Sequence, residues 1–434
     1  MRNLAFLLAT IGACGGADNG PADAIPTDAS TDTPVDARAA GPVTYACSTG
    51  GAHCPVTDVV FQDAAGAVIA IETIGGDLLS ATAIMAPGGY VTAIEPSMLL
   101  MYTFSDVQPG DVLYVHLGPG PFRPVSVTAP TVPGLNSYSL GHNCRDGIGG
   151  ASADVASGTA TVTLNDDYLD CDRADFIVGA TDSPAGGGTN RSLVAIDVPV
   201  SPTVTLTGTY RAPIDSTLTI TGLGPAFDAW AGLDLSGPHG LLTRDGATID
   251  TAATTAQLTL PTVAPTPGLI AVAALAITDS ATQGQGVVRR WGPHTGAATV
   301  DASHRHRRID TSSYDAPTRT YRWTDVGPGA SPDFFSAAIA WSIGGPTGTN
   351  VTWLFTAPAG SHAVALPPLP RVRDIDWSPP IAGVDISVGR PASYRITLDA
   401  PTPGQTHYDL GRPWVFVDLG SRTFGPAGEL SIEM

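Results

Sequence analysis

The densest acidic run, "NDDYLDCDRAD" at 165–175, offers Asp166, Asp167, Asp170, Asp172 and Asp175. Calcium takes about six to eight oxygen ligands, so carboxylates crowded beside Cys171 are a candidate calcium site, with Asp166, Asp170, Asp172 and Asp175 as its ligands. The run is no EF-hand, since it lacks the loop glycine and the closing bidentate glutamate. Its competing reading is a solvated acidic turn. A second group, "DASHRHRRID", sets His304 and His306 two residues apart, on one face if the segment is a strand. Two imidazoles can begin a zinc site, but Arg305, Arg307 and Arg308 add repulsive charge. A basic patch that pairs with the protein's own acidic surface, or binds an anionic glycan, suits the segment better. Trp291, Trp323, Trp341, Trp353, Trp377 and Trp414 are candidates for a sugar-stacking platform, set against plain core packing. Nucleophilic hydrolysis leaves no signature: there is no G-x-S-x-G and no H-E-x-x-H. No catalytic residue is assigned.

Composition limits the chemistry further. The chain of 434 residues contains no lysine, which excludes Schiff-base and P-loop lysines. A net charge of −19 argues against nucleic acid as a partner, because phosphate binding needs a basic footprint. Almost all the acid is Asp; the glutamates are Glu72, Glu95, Glu429 and Glu433. With 50 Gly, 38 Pro and only 14% charged residues, the chain predicts many turns and strands with weakly charged faces.

The N-terminus is read as a secretory signal. Arg2 precedes the apolar stretch "LAFLLATIGA", which is about half the length a membrane-spanning helix requires. Ile11-Gly12-Ala13-Cys14 resembles a bacterial lipobox. That resemblance implies a signal peptide at 1–13, a diacylglycerol on the Cys14 thiol, cleavage just before it, and a membrane partner reached through the lipid. Gly15, where an inner-membrane retention signal has Asp, implies the outer membrane. The segment 14–40, Asp-studded and rich in Pro and Ala, cannot offset the entropy of folding and reads as a disordered tether, reaching up to about 80 Å if extended.

Setting Cys14 aside leaves Cys47, Cys54, Cys144 and Cys171, an even set in an exported protein, and disulfides are the default. Cys47–Cys54 with Cys144–Cys171 is the simplest of the possible connectivities. Zinc at His53 and Cys54 is the alternative, weakened by the lack of a C-x₂-C pair.

The remainder reads as strand after strand between Gly/Pro turns, which predicts an all-β fold. Two or three tandem antiparallel β-sandwich domains are expected, at 41–128, 129–310 and 311–434. "STLTITGL" and "TATVTL" alternate Thr with apolar residues as half-wet strands do. "LIAVAALAI" predicts a buried strand and "DFFSAAIAW" a short helix. Residues 57–117 resemble the carboxypeptidase-regulatory-like, transthyretin-type sandwich. The matching features are the turn at Gly66, Pro87-Gly88-Gly89-Tyr90-Val91-Thr92 and Val107-Gln108-Pro109-Gly110-Asp111. The resemblance implies a non-catalytic surface module.

These readings together predict a lipid-anchored, non-catalytic envelope protein for binding, adhesion or structure, with a carbohydrate or protein ligand. No cofactor is expected apart from the calcium considered above. The rival class is an extracellular hydrolase acting on polysaccharide or peptide.

Overall fold

In the computed structural model, the structure describes residues 39–46, 56–75, 80–113, 125–144, 147–152, 154–156, 158–164, 173–182, 191–224, 227–237, 240–279, 285–327, 329–343, 349–360, 362–373, 375–379, 386–389, 391–398 and 427–433. The fold is all-β. Among the described residues the sole helical element is a 3₁₀ turn at Ala302–His304.

The first core lies between two sheets built from β1 (Gly41–Ala46), β2 (Asp58–Gln62), β3 (Val68–Thr73), β4 (Ser80–Met85), β5 (Gly89–Glu95), β6 (Leu100–Val107) and β7 (Val112–Leu113). The order is β4-β1-β7 in one sheet and β6-β5-β2-β3 in the other. Alternation chooses the inward residues: Val43 and Tyr45 of β1 and Ala81, Ala83 and Met85 of β4 meet Phe61, Val91 and Ala93 across the gap. The Gly/Pro motifs seen in the sequence close its hairpins. Gly66, Gly88 and Gly110 all hold positive φ, and Asp111 accepts the amide of Gln108 at 2.7 Å.

The second core uses β8 (Val125–Pro130), β9 (Ser137–Cys144), β10 (Gly147–Ser152), β11 (Asp154–Ala156), β12 (Thr159–Leu164), β13 (Arg173–Thr181), β14 (Arg191–Pro199) and β15 (Thr203–Thr205). They form the sheets β10-β9-β13-β14 and β11-β12-β8-β15. The third uses β16 (Ile214–Thr221), β17 (Phe227–Gly237), β18 (Gly240–Ile249), β19 (Thr255–Thr262), β20 (Ile270–Asp279), β21 (Gln285–Pro293) and β22 (Ala297–Asp301). In β16 Leu218 and Ile220 point into this core while Thr217, Thr219 and Thr221 face outward. The stretch 269–277 is the buried strand its β-branched content predicted: Ala273, Leu275 and Ile277 pack on one side and Val272 on the other. Ile177, Val194 and Ile196 of the second core lean on the third.

The fourth core uses β23 (Arg308–Asp315), β24 (Thr320–Val326), β25 (Phe334–Ile343), β26 (Thr349–Pro358), β27 (Ala363–Ala365), β28 (Arg371–Val372), β29 (Ile375–Asp376) and β30 (Ser387–Val388). Two strands lie between it and the third core, β31 (Ala392–Leu398) and β32 (Gly428–Glu433), whose Tyr394 and Leu430 pack with Val272 and Trp291 in a smaller cluster. Here one expectation is corrected: "DFFSAAIAW" is strand β25, not a helix. Phe335, Ala337, Ile339 and Trp341 are buried at every second position, and that period-2 pattern outweighs the helix propensity of the alanines. Residue 129 lies within β8 and residue 310 within β23, so the expected boundaries at 129 and 310 cut strands. The expected 129–310 unit holds two cores.

The first, third and fourth cores share one sheet of 13 strands, ordered β18-β17-β20-β21-β32-β31-β25-β26-β6-β5-β2-β3, with β30 also on β25, while the second core keeps its two sheets apart from it. Two joints make it continuous. β6 and β26 pair in parallel, Leu100 opposite Thr352, and β21 and β32 pair antiparallel, Gly286 opposite Glu433. The first joint buries both faces of the β6-β5-β2 region. Val59 and Phe61 serve the first core, whereas Val60, Ile94 and Met101 serve the fourth. Polar contacts cross that joint: Trp353 Nε1 donates to Thr103 Oγ1 at 2.7 Å, Gln62 Nε2 to the Pro368 carbonyl at 2.7 Å, and Arg373 pairs with buried Asp58 at 2.7 Å.

Candidate functional site

The segment His304-Arg305-His306 lies over the polar face of β32. Strand alternation puts Glu429, Ser431 and Glu433 on that face, with Leu430 and Ile432 on the other. Each residue of the segment takes one of them. His304 Nδ1 lies 2.9 Å from Glu429 Oε2, and His306 Nδ1 lies 3.0 Å from Ser431 Oγ. Arg305 donates through Nε and Nη2 to the two oxygens of Glu433, both at 2.6 Å. His306 Nε2 is also 3.0 Å from Ser393 Oγ on β31, so its ring bridges both strands at the joint between the third and fourth cores.

Local sequence explains the placement. The 3₁₀ turn is capped by Asp301, whose carboxylate accepts the Ser303 amide at 2.8 Å, and the chain then runs extended through Arg305 to His306. The expected shared strand face of His304 and His306 is therefore not formed within their own segment; β32 supplies the alternation. A glycine on the neighbouring strand makes room for the ion pair. A Cβ on Gly286 would lie 2.8 Å from Arg305 Nε and from Glu433 Oε1. On the opposite face Gly428 leaves space for Trp291, whose ring a Cβ there would meet at 2.4 Å.

Burial sets the charge states. The His306 imidazole is pushed down to about 4 by desolvation, with Arg395 and Arg305 adding repulsion. At neutral pH it is therefore uncharged, one nitrogen donating and the other accepting between two serines. Burial raises the Glu433 carboxyl while Arg305 and Arg308 pull it back. The basic run is thus spent on the protein's own acids: Arg305 on Glu433, Arg307 near Asp325 at 3.9 Å, and Arg308 on Asp310 at 3.4 Å. Chemically, this arrangement holds a strand in place with matched buried polar groups.

The other sequence candidates are dispersed. Of the acidic run, Asp175 is fully buried and accepts the Asp197 amide at 2.8 Å, facing Gly237 of β17. Asp166, Asp167, Asp170 and Asp172 lie outside the described residues. Among the described residues no group of three or more His, Cys, Asp or Glu side chains is placed to hold a metal ion. Cys14, Cys47, Cys54, Cys171 and His53 lie outside the described residues, and only the backbone of Cys144, at the end of β9, lies within them. Trp291, Trp323, Trp341, Trp353 and Trp377 are each no more than 4% exposed, so none offers a face to a sugar. They fill interiors: Trp323 packs 4.1 Å from Phe335, centroid to centroid. Trp414 lies outside the described residues.

Sequence reasoning missed Glu429, Ser431, Glu433 and Ser393. A signal was present in "GELSIE", a polar-apolar alternation carrying two of the four glutamates.

The fold and this joint define an all-β protein in which three of four cores are joined through one sheet. Compared with known proteins, the chain matches no family model and no curated sequence.

Proposed function

We propose that this chain is an exported, lipid-anchored envelope protein that binds or bridges without catalysis at the outer membrane. Cys14 carries the lipid, 14–40 serve as the tether, and the β-strands beyond present the binding surfaces. Within that reading the β1–β7 unit acts as a transthyretin-type surface module, and the ligand is a carbohydrate or a protein of the envelope. The observation that carries the reading is the continuous 13-stranded sheet. Separate sandwiches on linkers move independently; the first, third and fourth cores are coupled by backbone ladders and a buried ion pair, which suits a rigid surface platform.

The test is metabolic labelling with palmitate of the full-length protein and of Cys14→Ser, followed by incubation of the purified protein with envelope polysaccharides. Label on the wild type, none on the variant, and saturable retention without product are expected. An unlabelled wild type would sink the anchor, and release of product would move the protein to the hydrolases.

A further inference from the structure

Where the second and third cores meet, a polar pocket of about 210 Å³ opens between β14, the connection from β15 to β16, and the loop between β19 and β20. Ser192 and Val194 form one wall, Val263 and Thr266 another, and Thr209 and Arg211 line the connection between them. Its volume falls below the roughly 300–1,000 Å³ usual for larger ligands and suits a single small ring.

Arg211 is held by its own backbone. Its amide donates to the Ser192 carbonyl and its carbonyl accepts the Ser192 amide, both at 2.8 Å, which adds one rung to the edge of β14. The side chain then reaches across to the third core, where Nη1 donates to the Pro265 carbonyl at 3.1 Å. A guanidinium carries five N–H donors in a planar fork, and that bond uses one of them. An arginine fixed at both ends presents the rest with little ordering cost, in the geometry that matches a carboxylate. Around it stand the hydroxyls of Ser192, Thr209 and Thr266 and an apolar wall of Val194 and Val263. A cation among hydroxyls favours a small anion that also has a sugar's hydroxyls and apolar ring face, and it does so locally, against the repulsion of a chain with net charge −19.

We propose that this pocket binds one acidic sugar residue, its carboxylate on Arg211 and its ring against Val194 and Val263. The assignment rests on the carbohydrate-binding form of the function above and names the sugar class. The experiment is titration of the full chain with glucuronate, glucose, acetate and inorganic phosphate, followed by NMR or calorimetry. Glucuronate should bind at about millimolar affinity, at least tenfold more tightly than the other three. Arg211→Gln should weaken it at least tenfold without moving the thermal midpoint, since the backbone rung remains. Thr209→Trp, at an exposed position, should block the pocket independently. Equal binding of glucose removes Arg211 as selector. Equal binding of acetate or phosphate reduces the site to an anion site. An unchanged Arg211→Gln titration places glucuronate elsewhere; each of these overturns the proposal. Loss of glucuronate binding with polysaccharide retention and palmitate labelling intact defeats the pocket alone and leaves the envelope reading standing.

Discussion

His306 gives the joint between the third and fourth cores a definite pH dependence. The imidazole is depressed from 6.5 to about 4 in the fold. Between those values the unfolded chain binds a proton that the folded chain refuses. The contribution is therefore complete above about pH 6.5 and is lost as pH falls toward 4. The difference corresponds to about 3 kcal/mol. Glu433 acts in the opposite sense: its raised carboxyl takes a proton more readily folded than unfolded, which favours the fold as pH falls. A difference between variants isolates the histidine. Urea unfolding of wild type and His306→Gln at pH 7 and pH 4 should show the wild type losing about 3 kcal/mol more than the variant over that range. At pH 7 the variant should be weaker by about 1–3 kcal/mol, because it cannot satisfy Ser431 and Ser393 together. The imidazole proton shifts, with the His306 signal assigned by its absence in the variant, supply a direct titration. Parallel pH profiles for the two proteins, or a His306 midpoint near 6.5, would refute the reasoning.

Two further predictions concern the joints. Gly428→Ala places a methyl 2.4 Å from Trp291 Cζ2 and 2.8 Å from the Thr397 carbonyl; the carbonyl belongs to the ladder and cannot retreat, so thermal unfolding should reveal a loss of about 1–3 kcal/mol. An unshifted midpoint would mean that the sheet yields there. Trp353→Phe removes the donor to Thr103 and should cost about 1–2 kcal/mol in chemical denaturation. Combined with Thr103→Val it should cost clearly less than the two single changes added; full additivity would show that the bond contributes nothing.

The strands were legible because one wet face imposes a period of two, as in β16, where Ser216, Leu218 and Ile220 turn inward. The misreading of β25 has the same root. Alanine-rich runs satisfy helix propensity, and the period-2 burial of Phe335, Ala337, Ile339 and Trp341, together with pairing to β26 on one edge and β30 and β31 on the other, selects the strand. The joints could not be read at all. Leu100 stands opposite Thr352 in a ladder of main-chain hydrogen bonds, the Thr352 amide donating to the Leu99 carbonyl, and any residues provide such bonds, so composition leaves no trace of the pairing. The basic segment was visible as a pattern, but its partners on β32 are far along the chain: 125 residues separate His304 from Glu429. The tryptophans announced themselves by type, yet type does not separate a platform from a core; burial does.

The placement of β32 has a consequence for assembly. It sits between β21 and β31, so the third and fourth cores share no ladder until it arrives. Its partners on β21 begin at Gly286, and its register pairs Gly286 with Glu433, while the parallel joint couples Leu100 to Thr352. Contacts of such separation are entropically costly to form and come late in folding. Until β32 pairs, the facing edges of β21 and β31 are open. An open apolar edge invites pairing with other chains, and this protein has no lysine to guard one. The His304-Arg305-His306 segment precedes β32 in the chain, and its contacts fit a strand that carries Glu, Ser and Glu at alternate positions. A strand slipped by one residue would set Leu430 and Ile432 against Arg305 and His306 and strand both glutamates on the apolar side.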